Sequence, residues 1–220
     1  MATRRALAEL ARDYASRRGR PIDLVSIGGV DAVGRIRSGE SFDFAVLAAA
    51  AIDALAASGH VDAGGRVDVA RSEVALAVRA GAPRPDVTSE RSIRASVETA
   101  RTIGCSTGPS GAHVVRLLER WALRDAAAPR IVQAPPGVPV ATLVAAGEAD
   151  LGFQQLSELM DAPGIDVVGI LPPEIQDVTV FAGAICAVAR DREAAGAFLG
   201  FLASPQADAA KRRHGLAPAN

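Results

Sequence analysis

An α/β protein in two lobes is the fold class this sequence predicts, and three stretches predict it. Thr102–Ser106 is a β-compatible run that breaks at Thr107-Gly108-Pro109-Ser110-Gly111 and opens onto helical apolar spacing at Val114, Val115, Leu117, Leu118 and Trp121. The first sixty residues alternate helix-like and strand-like segments, the beat of a parallel sheet clothed by helices. Two β-like runs, Val67–Arg79 and Val178–Val188, are longer than ordinary strands and read as crossings between lobes.

In order, Thr3 caps a helix whose Leu7, Leu10, Ala11 and Tyr14 share one face. Ile22–Ile27 reads as a strand, Gly28-Gly29 as a tight turn, and a short helix runs through Ile36. Phe42–Leu47 is nearly all apolar, which suits a parallel strand covered on both faces. An alanine-rich helix from Ala49 ends at Gly59. Beyond the first crossing, a helix follows Thr88-Ser89, and strands are expected at Arg130–Ala134, Leu151–Phe153 and Val167–Ile170, with a helix at Pro139–Ala146. Two helices close the chain, the second with Ser204 as N-cap, Pro205 at its first position and Gly215 past its end. The crossings divide the chain into a first lobe of residues 1–72 and 182–220 and a second of 73–181. Ligands of open α/β sheets sit beyond the carboxyl ends of the strands, so a cleft between the lobes, hinged at the crossings, is expected.

Bulk properties exclude several functions. A formal charge of −1 provides no basic field for nucleic acid or an anionic membrane, and aromatics at 4% are too few for base-stacking platforms. No apolar run reaches membrane-spanning length. Cys105 and Cys186 lie far apart: one disulfide is conceivable, two buried thiols are the expectation. His60, His113 and His214 are scattered without metal-ligand spacing, so neither metal nor cofactor is expected.

The turn at Ser106–Gly111 carries the chemistry. Helix N-termini present unbonded N–H groups and the positive end of a dipole, which favour an anion, and Ser106, Thr107 and Ser110 add hydroxyls. A capped βα turn, with Ser110 as N-cap, is the plainer alternative. No lysine follows, and the spacing is not GxGxxG, so nucleotide motifs do not apply. Gln154 and Gln155 end a strand as either a surface pair or ligand contacts. His113 is a solvent-facing residue beside a helix start or a neutral imidazole at the ligand, and Glu158 reads as a solvated helix residue.

GEADLGFQQLSEL, RSEVALAVRAGAPRPDV and STGPSGAHV resemble the molybdate-binding-protein branch of type 2 periplasmic solute-binding proteins, and the likeness runs from ARDYASRRGRPIDLVSIGG to FLASPQADAAKRRHGL. The resemblance implies two α/β lobes and capture of a small anion or carboxylate for an ABC importer, by a monomer with no nucleic-acid partner. Carried over by position, the binding residues would be Thr3, Ser26, Gly28, Gly29, Ala48 with Ala49, Ser106, Thr107, Ser110, Gly111, His113, Gln154, Gln155 and Ser157, with none catalytic. Ile27-Gly28-Gly29 lacks the second hydroxyl of molybdate binders, and the glutamine pair stands in place of their tyrosine, which favours an organic carboxylate. The branch also resembles proteins with aconitate isomerase activity, which would make His113 or Glu158 a base. It further implies a strand before the first helix, central between Ile22–Ile27 and Phe42–Leu47, which this chain lacks. The expectation is that the natural reading frame starts upstream with an apolar strand and an export signal: periplasmic by resemblance, cytoplasmic as written.

Overall fold

The computed structural model describes residues 2–219. The chain runs α1 Arg4–Arg18, α2 Gly29–Arg37, β1 Phe44–Ala48, α3 Ala49–Ala57 and β2 Val67–Arg79. It continues through α4 Glu90–Thr99, β3 Ile103–Cys105, α5 Pro109–Arg120, α6 Arg124–Ala127, β4 Ile131–Gln133, α7 Val140–Ala146, β5 Leu151–Gln155, α8 Leu156–Leu159 and β6 Ile165–Ile170. β7 Val178–Ile185, α9 Arg192–Ala203, α10 Asp208–Arg213 and β8 Ala217–Pro218 complete it. Two compact units form: one from residues up to Ser72 and from Thr179 onward, the other from Glu73–Val178.

In the first unit, α1 buries the face read from its spacing: Leu7, Leu10, Ala11 and Tyr14. The Tyr14 ring meets Phe198 of α9 edge-on at 5.2 Å, and Phe198 meets Phe44 of β1 at 5.3 Å, so one aromatic cluster ties two helices to the strand. Two expectations fail here. β1 pairs antiparallel with β7, Phe44 opposite Ile185, and is not a parallel strand, because an apolar run records burial and not direction. Ile22–Ile27 joins no sheet among the described residues. Ile22 and Leu24 lean on the cluster of α1 and α9, but no strand runs alongside to bond their backbone, and Val25 is 58% exposed. The single terminal helix also divides, into a 3₁₀ turn at Pro205–Ala207 and then α10. Ser204 holds the N-cap position of that turn and Pro205 its first position, but the Ser204 hydroxyl makes no cap bond and donates back to the Phe201 carbonyl at 2.7 Å.

In the second unit, β2 pairs antiparallel with β5 and β6, while β3 lies parallel between β5 and β4. The pleat sorts the helices. Ile103 and Cys105 turn toward α4 and α5, packing with Ile93, Val97, Val114, Leu117 and Leu118. Gly104 turns the other way, where an added Cβ would meet Ala149 Cβ at 2.9 Å and Val140 Cγ1 at 3.0 Å. Gly152 of β5 sits equally tight under Val144, so glycine on both strands lets α7 close onto the sheet. β3 therefore sends its chain to α5 on one face. β5 sends its chain to α8, whose Leu159 packs with Ala77 and Ala141 on the α7 side. Neighbouring parallel strands whose connections leave on opposite faces create a crevice at their carboxyl ends. Cys105 and Cys186 are buried free thiols, and burial pushes both up, Cys186 to about 11, which keeps them protonated and inert.

Candidate functional site

Beyond β3, the helix start differs from the expected one. Gly108, not Ser110, is the N-cap of α5, and Pro109 takes the first helical position, where its missing N–H costs nothing. Ser110 is thereby drawn into the first turn and buried. Its hydroxyl lies 3.0 Å from Ser106 Oγ, which also accepts the Gly108 N–H at 3.2 Å. Thr107 is exposed at the tip. Gly111 packs on the Ser106 backbone so closely that any Cβ would overlap its carbonyl oxygen. No side chain caps α5.

That absence follows a pattern. α4 is capped by Ser89, whose Oγ accepts the Ser92 N–H at 3.2 Å, and α9 by Asp191, whose Oδ1 accepts the Ala194 N–H at 2.9 Å. The helices beginning at candidate residues have no side-chain cap: α2 after Gly28, α3 after Ala48, α5 after Gly108, α8 after Gln155. α1 likewise starts after a buried Thr3 whose hydroxyl makes no cap bond. α6, α7 and α10 also lack an N-cap side-chain bond, but α10 continues directly from the 3₁₀ turn, α6 follows the helical end of α5, and the first N–H of α7 goes to Gln154 Oε1. The starts of α2, α3 and α5 thus keep first-turn donors that no N-cap side chain satisfies.

Within the second unit, the register brings candidates together. Cys105 stands opposite Phe153, so Ser106 and Thr107 leave β3 beside Gln154 and Gln155 of β5. Both glutamines are strand residues and buried, not a surface pair, and Ser157 in α8 is buried as well. Gln154 holds the unit's interior together: Oε1 accepts the Val140 N–H at the start of α7 at 2.8 Å, and Nε2 donates to Glu158 Oε2 at 2.7 Å. Glu158 is half-buried and not solvated as its helix position suggested, and burial pushes its carboxyl above the ordinary value. This Val140–Gln154–Glu158 chain of hydrogen bonds was missed in the sequence, because Gln154 lies in β5 and Glu158 in α8, and no single-element periodicity links them.

His113 is buried and turned away from solvent, because the α5 face that carries it packs on the segment at Ile175. Nε2 lies 2.7 Å from the Ile175 carbonyl, an acceptor only, so that nitrogen carries the proton. Nδ1 then faces Arg116, which also pairs with Asp177 at 3.2 Å. Burial lowers the pKa of His113, and the ring is neutral.

The first unit holds the remaining candidates. Ser26 and Gly29 are exposed, Gly28 caps α2 through its carbonyl with Ala32 N at 2.9 Å, and Ala48 joins β1 to α3 without a break. Among the described residues, no group of three or more His, Cys, Asp or Glu side chains could hold a metal ion.

Comparisons with known proteins match this architecture. A family model described as bacterial extracellular solute-binding protein covers residues 1–217. An aconitate isomerase from a Pseudomonas species is 39% identical over 184 residues, 84% of this chain and 70% of that protein. The periplasmic molybdate-binding protein of Azotobacter vinelandii superposes with a TM-score of 0.81 at 21% identity, covering 98% of this chain and 95% of its own. A sulfate-binding protein from Mycobacterium tuberculosis superposes at 0.76 with 17% identity, covering 98% and 83%. At such identities the two structures establish the fold alone.

Proposed function

The chain belongs to the bacterial extracellular solute-binding proteins, with the type 2 periplasmic-binding-protein fold of their molybdate-binding-like branch, and we propose that it captures a small oxyanion or organic carboxylate for an ABC importer. One observation carries this reading. The longer helices that start at the candidate positions, α2, α3 and α5, have no side-chain cap, while α4 and α9 do and the first N–H of α7 is taken by Gln154. Unsatisfied first-turn N–H groups aligned with a helix dipole are what an anion's oxygens require. The Ser106 and Ser110 hydroxyls, 3.0 Å apart, add donors at the α5 start. Similar folds described as molybdate-binding and sulfate-binding support an anionic ligand, and the family supports a periplasmic location over the cytoplasmic alternative.

Thermal denaturation tests it. A ligand at a hundredfold excess over its Kd adds about 2.7 kcal/mol, so molybdate, tungstate, sulfate, phosphate, citrate and the aconitates can be ranked by Tm. If none raises Tm, the proposal fails.

A second reading, isomerisation of a small polycarboxylate, is favoured by the 39% identity to an aconitate isomerase. A base would take a proton from a carbon next to a carboxylate and return it at another carbon, with helix N-termini stabilising the intermediate carboxylate. His113 is poorly placed for this, since its protonated Nε2 is held by Ile175. Glu158, with its raised carboxyl pKa, is the better candidate. Incubation of trans-aconitate in deuterated water should then introduce deuterium at carbon; neither exchange nor conversion would rule the isomerase out.

A further inference from the structure

We infer that Gln176 is a positioning residue for ligand capture, fixing α5, at whose start the anion binds, to β2 where that strand enters the second unit. This rests on the anion-binding reading above.

The side-chain amide of Gln176 is fully used, and only by main-chain groups. The Val74 and Asp177 N–H groups can only donate, so the atom 2.9 Å from each of them is Oε1. Nε2 donates to the carbonyls of Val74 at 3.2 Å and Leu171 at 3.0 Å. Two acceptor positions and two hydrogens are all that an amide offers. The register of β2 with β6 pairs Ala75 with Ile170, so the next rung would join Val74 and Leu171. Half of that rung forms directly, Leu171 N–H to the Val74 carbonyl at 3.0 Å. Gln176 inserts into the other half, taking the Val74 N–H on its oxygen and reaching Leu171 with its nitrogen. Val74 is 0% exposed, so these bonds are its substitute for water.

The bonds lie where the chain enters and leaves the second unit. Val74 is the second residue of Glu73–Val178 and Asp177 the last but one, and one side chain fastens both.

The neighbours of Gln176 are held by α5. His113 Nε2 donates to the Ile175 carbonyl at 2.7 Å, and Arg116 pairs with Asp177 at 3.2 Å. These two residues lie three apart on one helix face, just beyond Ser110 and Gly111 at the α5 start. α5 thus grips Ile175 and Asp177, and the residue between them grips β2. Without the amide, α5 stays attached to a segment that is no longer fixed to the strand.

Calorimetric titration with sulfate, molybdate and citrate tests this on wild type, Gln176→Leu and Arg130→Met. Arg130→Met removes bonds to the α4 carbonyls at Val97 and Ala100, and so controls for lost stability alone. Gln176→Leu should bind the tightest of the three anions about threefold to thirtyfold more weakly, the range for residues that tune a site without touching its ligand. Arg130→Met should bind as wild type does. Gln176→Glu keeps both accepting positions and loses the donors, so its affinity relative to wild type should fall less. That ratio should recover as pH drops and the carboxyl regains an O–H donor, a rescue that a general loss of stability does not produce. Gln176→Glu reads the same quantity if Gln176→Leu does not fold. Unchanged affinity in the folded variant, or an equal loss in Arg130→Met, makes Gln176 a residue of the fold alone, and the inference is wrong while anion binding stands. If wild type binds none of the three anions, the anion reading itself falls and takes the inference with it.

Discussion

Gly111 rests against the carbonyl of Ser106 with no room for a single methyl group between them. This contact sets how near the α5 start comes to the end of β3. Gly111→Ala must push the helix off the strand or distort the turn, an overpacking cost of about 3 kcal/mol. Urea unfolding should show it, together with at least tenfold weaker binding of any anion that stabilises the wild type. A variant within about 0.5 kcal/mol of wild type would mean the turn yields easily and does not define the site.

Gln154 bonds Val140 N–H and Glu158 from a position 2% exposed. Gln154→Leu keeps the volume but strands a backbone donor and a carboxyl, with an expected loss of about 1–3 kcal/mol. For a chain of this size that is a fall in Tm of roughly 2–12 °C. An unchanged melt with weakened binding would instead make Gln154 a direct ligand contact.

His113 makes stability fall in mild acid. Its folded pKa lies below the ordinary 6.5, so the unfolded chain binds the extra proton first. The contribution of the neutral ring is complete above that ordinary value and is lost as pH drops toward the folded pKa. Denaturant midpoints from pH 8 to pH 5 should decline, and more shallowly in His113→Gln, which can still donate to the Ile175 carbonyl. Parallel curves for the two proteins would contradict this.

Lys211, the only lysine in the chain, is 1% exposed with Asp208 Oδ1 3.3 Å from its Nζ. Burial lowers its pKa, and a single long bond is weak compensation for a buried ammonium. Lys211→Met should be neutral or stabilise by about 1 kcal/mol, leaving Asp208 favourably at the start of α10. A loss above 2 kcal/mol would show that the ion pair matters more to the fold than its geometry indicates.

Periodicity and turn chemistry were enough to mark β2 over all of Val67–Arg79, the buried face of α1 and the strand–turn–helix at Ser106–Gly111, because each depends on residues within a few positions of one another. The Ser89 region likewise declared a helix start through its own hydroxyl. What the tertiary structure decided were choices among partners. β1 became antiparallel because β7 came to lie beside it, and Ile22–Ile27 stayed out of the sheet because no strand did. Ser110 lost the cap position once Pro109 fitted the first helical one and Ser106 offered an oxygen. The site's polar groups were settled at longer range: Gln154 bonds Val140 across 14 residues, and His113 bonds Ile175 across 62. A buried polar group must find a partner, but its sequence neighbourhood records only the need and not which backbone group the folded chain will bring within 3 Å.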